Sequence, residues 1–353
     1  MATNFEELLQ VVLKENASDL HLTVGRRPSI RVTGALTELV RYPTLTPAAV
    51  EEIVSLILSE AERARFEDER ELDLSYAYQD KARFRVNVFH QRGFMGVSLR
   101  LIPTKVRDFQ ELNLPPILAE FCERQQGFVL IAGPTGHGKS TTLAAMVDHI
   151  NRRRADHIIT IEDPIEYLFA SERAIIDQRE VGQDTHSFAK ALRSMFREDV
   201  DVAMIGEMRD PETMAAAVTA AETGHLILSS LHTNNAAQTI DRVIDSFPAA
   251  QQSQIRVQLA STLVGIVSQR LIPRVSGGLI PAVEILIATP AVRNLIREAK
   301  AHEIDFVIET GLEQGMVSLN RSLADLIRRG EISVEQASMY SLNPGELALL
   351  LRK

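Results

Sequence analysis

The apolar positions of this chain follow one rhythm up to about residue 102 and a different one after it. Phe5, Leu8, Leu9, Val12 and Leu13 share one face at helical spacing, which predicts a short helix over 5–14. From Ser18 the period drops to two. Ser18-Asp-Leu-His-Leu-Thr-Val alternates apolar with polar, Gly25-Arg-Arg-Pro supplies turn residues, and Ile30-Arg-Val-Thr alternates again before Gly34, the pattern of a hairpin-like pair. Residues 47–65 read as one or two helices. Leu72-Asp-Leu-Ser-Tyr-Ala-Tyr, Ala82-Arg-Phe-Arg-Val-Asn-Val-Phe and Gly96-Val-Ser-Leu-Arg-Leu-Ile then return to period two. These elements predict a small α+β domain with an antiparallel sheet over residues 1–102. Residues 103–116 hold three prolines and four charged side chains between regular segments, and form the predicted linker.

From residue 117 to 353 the apolar residues come in continuous runs separated by helical patterns. Strands are predicted at 128–132, 157–162, 174–177, 201–206, 226–231 and 279–287. Asp210-Pro-Glu-Thr opens a helix over 214–223 with a capping carboxylate and a proline at the first helical position, and Gly224 closes it. Such alternation predicts a mainly parallel sheet with helices on both faces, an α/β domain. The end of the chain, about 289–353, reads as a helical tail. Val292, Leu295, Ile296 and Ala299 repeat at helical spacing, as do Leu319, Leu323, Leu326 and Ile327 before Gly330.

The strongest chemical signal lies between the strand Phe128-Val-Leu-Ile-Ala and the helical pattern that begins at Thr141. There Gly133-Pro-Thr-Gly-His-Gly-Lys-Ser fills G-x-x-x-x-G-K-[ST], the Walker A phosphate loop. Triphosphate oxygens sit against backbone N–H groups, so Gly133, Gly136 and Gly138 must allow a tight curl with positive φ. Lys139 is placed to neutralise β- and γ-phosphate charge, and the Ser140 hydroxyl to ligate Mg²⁺. Gly133, Pro134, Thr135, Gly136, His137, Gly138, Lys139, Ser140 and Thr141 are the predicted nucleotide-binding residues. The chain is therefore expected to bind a nucleoside triphosphate with Mg²⁺.

Two acidic clusters follow predicted strands, where ligands bind in a parallel α/β sheet. His157-Ile-Ile-Thr-Ile ends in Glu162-Asp-Pro-Ile-Glu166, and Val202-Ala-Met-Ile ends in Gly206-Glu207-Met-Arg-Asp. Glu207 stands where a Walker B acid belongs, although Gly206 occupies the expected aspartate position. His225 and His232 flank the strand 226–231 and are assigned to γ-phosphate contact.

Composition narrows the function. A net charge of −9 and no tryptophan in 353 residues argue against a dedicated nucleic-acid binder. The local exception, Arg152-Arg-Arg, is assigned to a solvated helix end. A single cysteine, Cys122, excludes an intrachain disulfide and a cysteine zinc cluster and is expected to be a small buried apolar group. No stretch reads as a membrane span or a signal peptide, so the expected location is the cytoplasm, with any membrane association made through a partner.

The phosphate loop, Ile-Glu-Asp-Pro-Ile-Glu-Tyr, Gly-Glu-Met-Arg-Asp, and Thr-Gly-His closing in Ser-Leu-His-Thr-Asn resemble, in the same order, the Walker A, Asp, atypical Walker B and His boxes of secretion ATPases. Within them the chain is most similar to the type IV pilus retraction ATPases, the PilT family. Ala291-Val-Arg-Asn-Leu-Ile-Arg-Glu matches that family's C-terminal retraction motif, and Gly315-Met with Ser322-Leu-Ala-Asp-Leu-Ile-Arg-Arg-Gly continues the match. The resemblance implies a PAS-like N-terminal domain, a RecA-like P-loop ATPase domain and a homohexamer with ATP at the domain interface. It implies Glu166 as the catalytic base and Glu207 acting on Mg²⁺ through water. Lys139, His225 and His232 are placed at the phosphates, and Arg85 in Phe-Arg-Val-Asn and Arg100 in Leu-Arg-Leu-Ile are the small domain's catalytic arginines. Implied partners are an inner-membrane pilus platform protein and a paralogous accessory ATPase, with no nucleic acid and no direct membrane insertion. The motif helix at 291–298 is a candidate for intersubunit or platform-protein contact.

Three departures from the family pattern stand out: His137 for the common Ser or Ala, Val200 for a usual Pro, and Glu298-Ala-Lys-Ala-His-Glu for Glu-Gly-Lys-Thr-His-Gln. His137 brings a titratable ring into the loop, whose charge would add to that of Lys139. The rival readings are an accessory nucleotide-binding subunit, a pilus assembly ATPase and a nucleic-acid translocase. Retention of both Glu166 and Glu207 disfavours the first.

Overall fold

The computed structural model describes residues 4–32, 34–79, 81–103 and 105–352. Met1-Ala-Thr at the start, Thr33 at the end of the second alternating run and Thr104 in the predicted linker lie outside the described residues. The chain divides into two units, Met1–Lys105 with Pro164–Leu168, and Val106–Asp163 with Phe169–Lys353.

In the first unit, α1 (Phe5–Lys14) is followed by β1 (Asp19–Thr23), β2 (Ser29–Val32), β3 (Ala35–Glu38), α2 (Pro47–Ile57), α3 (Glu60–Glu69), β4 (Glu71–Tyr78), β5 (Ala82–Gln91) and β6 (Phe94–Ile102). The strands form an antiparallel sheet in the order β3-β2-β1-β6-β5-β4. Alternation decides its two faces. Leu20, Leu22, Ile30, Leu72, Leu74, Phe84, Val86, Val88, Val97 and Leu99 are buried with Phe5, Leu8, Leu9, Val12, Val50, Ile53, Val54 and Phe66 of the helices. The region predicted as one or two helices is two, because Ser59 builds a capping box with Glu62 and starts α3 afresh. Sequence analysis did not anticipate β3. All four of its residues are exposed, so no burial pattern marks it.

The second unit holds α4 (Ile117–Cys122), β7 (Gly127–Ala132), α5 (Lys139–Arg153), β8 (His157–Glu162), β9 (Ile175–Glu180), α6 (Phe188–Met195), β10 (Val202–Ile205), α7 (Pro211–Glu222) and β11 (Leu226–Leu231). It continues through α8 (Ala236–Asp245), α9 (Ala249–Thr262), β12 (Leu263–Pro273), β13 (Leu279–Ile287), α10 (Pro290–Arg297), α11 (Ile304–Thr310), α12 (Leu319–Arg328), α13 (Val334–Tyr340) and α14 (Pro344–Leu351). The seven-stranded sheet runs β13-β12-β7-β11-β10-β8-β9 and is parallel except for β13. Every residue of β7 and β11 is buried, as central parallel strands covered on both faces require. The helix at 214–223 forms as α7, capped by the Asp210 carboxylate on Thr213 N–H at 2.8 Å. The strand β12 was not predicted. It lies between β7 and β13, and a second apolar cluster packs α12, α13 and α14 against its Ile272 and against Ile280 and Ala282 of β13.

Cys122 is buried, as expected, and burial pushes its thiol well above the usual range. The arginine triplet corrects the sequence reading. Arg152 pairs with Asp148 one turn earlier at 2.9 Å, but Arg154 is not solvated. Its guanidinium donates to the carbonyls of Cys122 at 2.7 Å and Arg124 at 2.6 Å and pairs with Asp156. It thereby satisfies carbonyls at the C-terminal end of α4 that have no helical partner. Among the described residues no helix is long and apolar enough to cross a membrane.

Arg154→Ala should lower the free energy of unfolding by about 1.5–3 kcal/mol, the range for hydrogen bonds to a charged donor. Arg153→Ala should leave urea melts nearly unchanged.

Candidate active site

The register of three parallel strands builds the site. Leu231 of β11 lies beside Ala132 of β7, and Ile205 of β10 beside Ser229 of β11. The residues that follow each strand therefore emerge at one edge of the sheet: the phosphate loop after β7, His232 after β11, Gly206 and Glu207 after β10. Backbone bonds fix the last of these. Gly206 N–H donates to Ile161 O at 2.8 Å, and Ser230 Oγ donates to Gly206 O at 2.7 Å.

Gly133, Gly136 and Gly138 take φ of 147°, 79° and 81°, the positive values the loop was expected to need. Two of them face a further constraint. A Cβ on Gly133 would lie 2.5 Å from Gln269 O, and one on Gly138 2.9 Å from Gln269 Nε2, so the loop rests directly on β12. The buried Gln269 answers with hydrogen bonds. Its Nε2 donates to His137 O at 2.8 Å, and its Oε1 accepts from Thr142 Oγ1 at 2.8 Å.

Lys139 is buried at the start of α5, with Nζ donating to Pro134 O at 3.0 Å and lying 3.4 Å from His232 Nδ1. Thr135 Oγ1 is 3.3 Å from the same nitrogen. Both contacts suit a lone pair on Nδ1 and leave Nε2 to carry the hydrogen toward Glu207 Oε2, 3.1 Å away. The other Glu207 oxygen pairs with Arg209, which also faces Asp163 at 3.8 Å. Burial works to raise the Glu207 carboxyl, but the hydrogen bonds and charges of Arg209 and His232 outweigh it and hold the group below the usual glutamate range. Lys139, His232 and Glu207 thus form one connected chain across the strand ends.

His225 does not join it. It sits before β11, at the opposite end of a six-residue strand, about 20 Å of extended chain from His232. Its Nδ1 is 3.0 Å from Ala220 O, and its ring stands edge-on to Phe196 at 5.4 Å. The expectation of phosphate contact is corrected: His225 satisfies the end of α7. Glu162 is buried at the end of β8, where its Oε1 accepts from Thr160 Oγ1 at 2.7 Å. Glu166 is carried on the segment Pro164–Leu168, which groups with the first unit.

Sequence reasoning missed the polar core beneath this edge. Arg270 is buried and donates to the backbone and side-chain oxygens of Asn234 at 3.2 and 2.9 Å, bracing the turn after His232. Glu284 of β13, also buried, accepts from Ala236 N–H at 2.7 Å at the start of α8. Burial pushes its carboxyl up to about 7, and the Ala236 N–H opposes the rise. The signal available was Ser268-Gln-Arg inside an apolar run, where buried polar groups need partners.

In the first unit, Arg85 and Arg100 occupy directly paired positions on the polar face of the sheet. The same row continues through Asp19 to Arg31. Asp19 is buried and accepts from Arg100 Nε at 2.9 Å and Ser18 Oγ at 2.8 Å, with Arg31 at 3.8 Å. Burial raises its carboxyl, but Ser18 and Arg100 outweigh that and lower it overall. Like charges paired across strands are destabilising. The row sets Arg31 and Arg100 on Asp19 and leaves Arg85 beside Arg100, an excess of positive charge that an anion would relieve.

The family model for type II/IV secretion system proteins matches residues 2–279. The chain belongs to this family. It is 46% identical over 331 residues to the type IV pilus retractation ATPase PilT of Pseudomonas aeruginosa, covering 94% of this chain and 96% of the relative. It is 40% identical over 349 residues to the type IV pilus ATPase PilU of the same organism, covering 99% and 91%. A crystal structure of the pilus retraction motor PilT with bound ADP superposes with a TM-score of 0.91 at 44% identity, over 98% of this chain and 99% of the other. The second unit accordingly has the RecA-like ATPase fold of the secretion family. In this family member, Arg293 of the retraction motif is committed internally. Its guanidinium donates to Ala260 O and Ser261 O at 2.6 Å each and to Ala288 O at 3.0 Å, so it closes the end of α9. This arginine of the 291–298 helix therefore has a structural role within the chain.

Because the Glu284 carboxyl is raised in the fold from an ordinary value near 4.5, its contribution to stability is full below pH 4.5 and is lost as the pH rises through about 7. Glu284→Gln should flatten the unfolding free energy across that window, as read from urea melts at a series of pH values.

Proposed function

We propose that this chain is a motor ATPase that couples Mg-ATP hydrolysis to retraction of a type IV pilus. The observation that carries the chemical part is the connected chain of Lys139, His232 and Glu207 at the mouth of the phosphate loop. Loop N–H groups and Lys139 take the β- and γ-phosphates, and His232 stands where it can follow the state of the γ-phosphate. Water attacks γ-phosphorus, Glu166 accepts its proton, the bond to the β,γ-bridging oxygen breaks, and ADP departs with its new charge held by Lys139. The Ser140 hydroxyl and the Glu207 carboxylate are hard oxygen donors of the kind Mg²⁺ takes, with Glu207 acting through a water while its own oxygens stay on Arg209 and His232. Bound there, the ion would neutralise charge on the β- and γ-phosphates.

Arg85 and Arg100 are the cations we assign to the developing γ-phosphate charge, at a scale of roughly 10³–10⁵ in rate for groups of this type. The retraction assignment rests on the likeness to PilT over nearly the whole chain. A ring of six copies, a platform protein at the inner membrane as the surface it turns, and a paralogous ATPase as an accessory partner complete the proposal.

Purified wild type should hydrolyse ATP, and Glu166→Gln should lose about 10²-fold or more of that turnover while still binding ATP and keeping the wild-type oligomer mass. The wild-type chain should also restore twitching to a strain that lacks its retraction motor. A wild-type oligomer without turnover would overturn the motor reading in favour of an accessory subunit.

A further inference from the structure

The phosphate loop touches more than its own strand and helix. His137, at the crown of the loop, turns its ring toward β12, where Nδ1 accepts the backbone N–H of Leu271 at 2.9 Å. Its carbonyl accepts from Gln269 at 2.8 Å, so ring and backbone are both tied to one strand. On its other side the ring meets Tyr340 of α13 edge-on, at 6.3 Å between centroids. Tyr340 packs in turn against the apolar cluster that joins α12, α13 and α14 to Ile272 of β12. A serine or alanine here would leave the Leu271 N–H without this acceptor and would not reach Tyr340.

We propose that His137 is a positioning residue for nucleotide binding, a strut that holds the phosphate loop against β12 and links it, through Tyr340, to the C-terminal helices. The strut sets the loop's backbone before nucleotide arrives and so lowers the cost of ordering it on binding. It also gives the C-terminal helices a path to the nucleotide. A shift of α13 moves Tyr340 away from the ring, loosens His137 and weakens the hold on phosphates, and by reciprocity bound nucleotide favours the packed position of α13. The proposal rests on the reading of residues 133–141 as a nucleotide site.

The strut works only while Nδ1 is unprotonated. The titratable and charged groups facing the ring are Lys139 in the loop, Arg270 on β12 and Tyr340 on α13. Burial, and then Arg270 and Lys139, push the ring below the usual histidine range. It is therefore neutral at pH 7, and the expected added charge beside Lys139 is absent there. Protonation would forfeit the Leu271 bond and place a like charge beside Lys139, so the contribution is complete at neutral pH and lost as the pH falls below the ordinary histidine range.

The test measures Mg-ADP affinity by calorimetry and ATP turnover, between pH 5.5 and 8, for wild type, His137→Ser, His137→Asn and Tyr340→Ala. His137→Ser should weaken ADP binding and raise KM about three- to tenfold at pH 7.5, the scale of one hydrogen bond, with kcat changed less than about twofold. His137→Asn, whose Oδ1 can replace Nδ1 as acceptor, should recover most of the loss. Tyr340→Ala should weaken binding about two- to threefold in wild type and have no further effect in His137→Ser. Wild-type affinity should fall toward acid pH, with a smaller fall in both His137 variants. Equal affinity of wild type and His137→Ser at every pH would overturn the proposal, as would His137→Asn behaving no better than His137→Ser. Lys139→Ala separates the two levels: if it still binds ADP like wild type, the nucleotide-site reading fails, and if it does not, an unaltered His137→Ser sinks only the strut.

Discussion

The alignment of three strand ends governs this molecule's chemistry. Parallel pairing of β7, β11 and β10 brings residues from distant parts of the chain to one edge without asking any loop to fold by itself. The register leaves Glu207 on the edge beside the loop that holds Lys139, and His232 spans the gap between them. Burying β7 and β11 completely also has a cost: their polar backbone must be fully paired, which fixes the strands in position and the site with them. Slipping one strand by a residue would reverse its faces and carry its terminal side chain away from the others.

Beneath that edge, β12 and β13 act as a second support. Gln269, Arg270 and Glu284 project from them to the phosphate loop, to the turn after His232 and to the start of α8. None of these side chains is positioned to react. They hydrogen-bond loop backbone groups, the buried Ala236 N–H among them, and they tie the geometry of the edge to the C-terminal helices packed on the same strands.

The phosphate loop was legible in the sequence because its demand is local: glycines at positive φ between a strand and a helix. The alternating strands of the first unit were legible because half of each faces the core. What escaped was decided by tertiary contacts. In β12, Ser268-Gln-Arg interrupts the apolar run and becomes intelligible only when the partners of Gln269 and Arg270 are seen. Arg154 looked like the end of a charged helix, yet the carbonyls it meets belong to residues some thirty positions earlier. His225 was drawn toward the site by its closeness to His232 in sequence, but a strand separates its two ends rather than joining them.

The row Arg31, Asp19, Arg100, Arg85 has one more consequence. Side chains on neighbouring strands of a sheet keep a spacing of about 5 Å, and that spacing cannot drift as it would between two loops. The row thus roots three arginines, around one aspartate, at fixed points on a chain whose net charge is −9. A flexible cluster of arginines would have to be gathered around an anion one by one. Here the backbone entropy was spent when the sheet folded, and an arriving anion has only the side chains left to order.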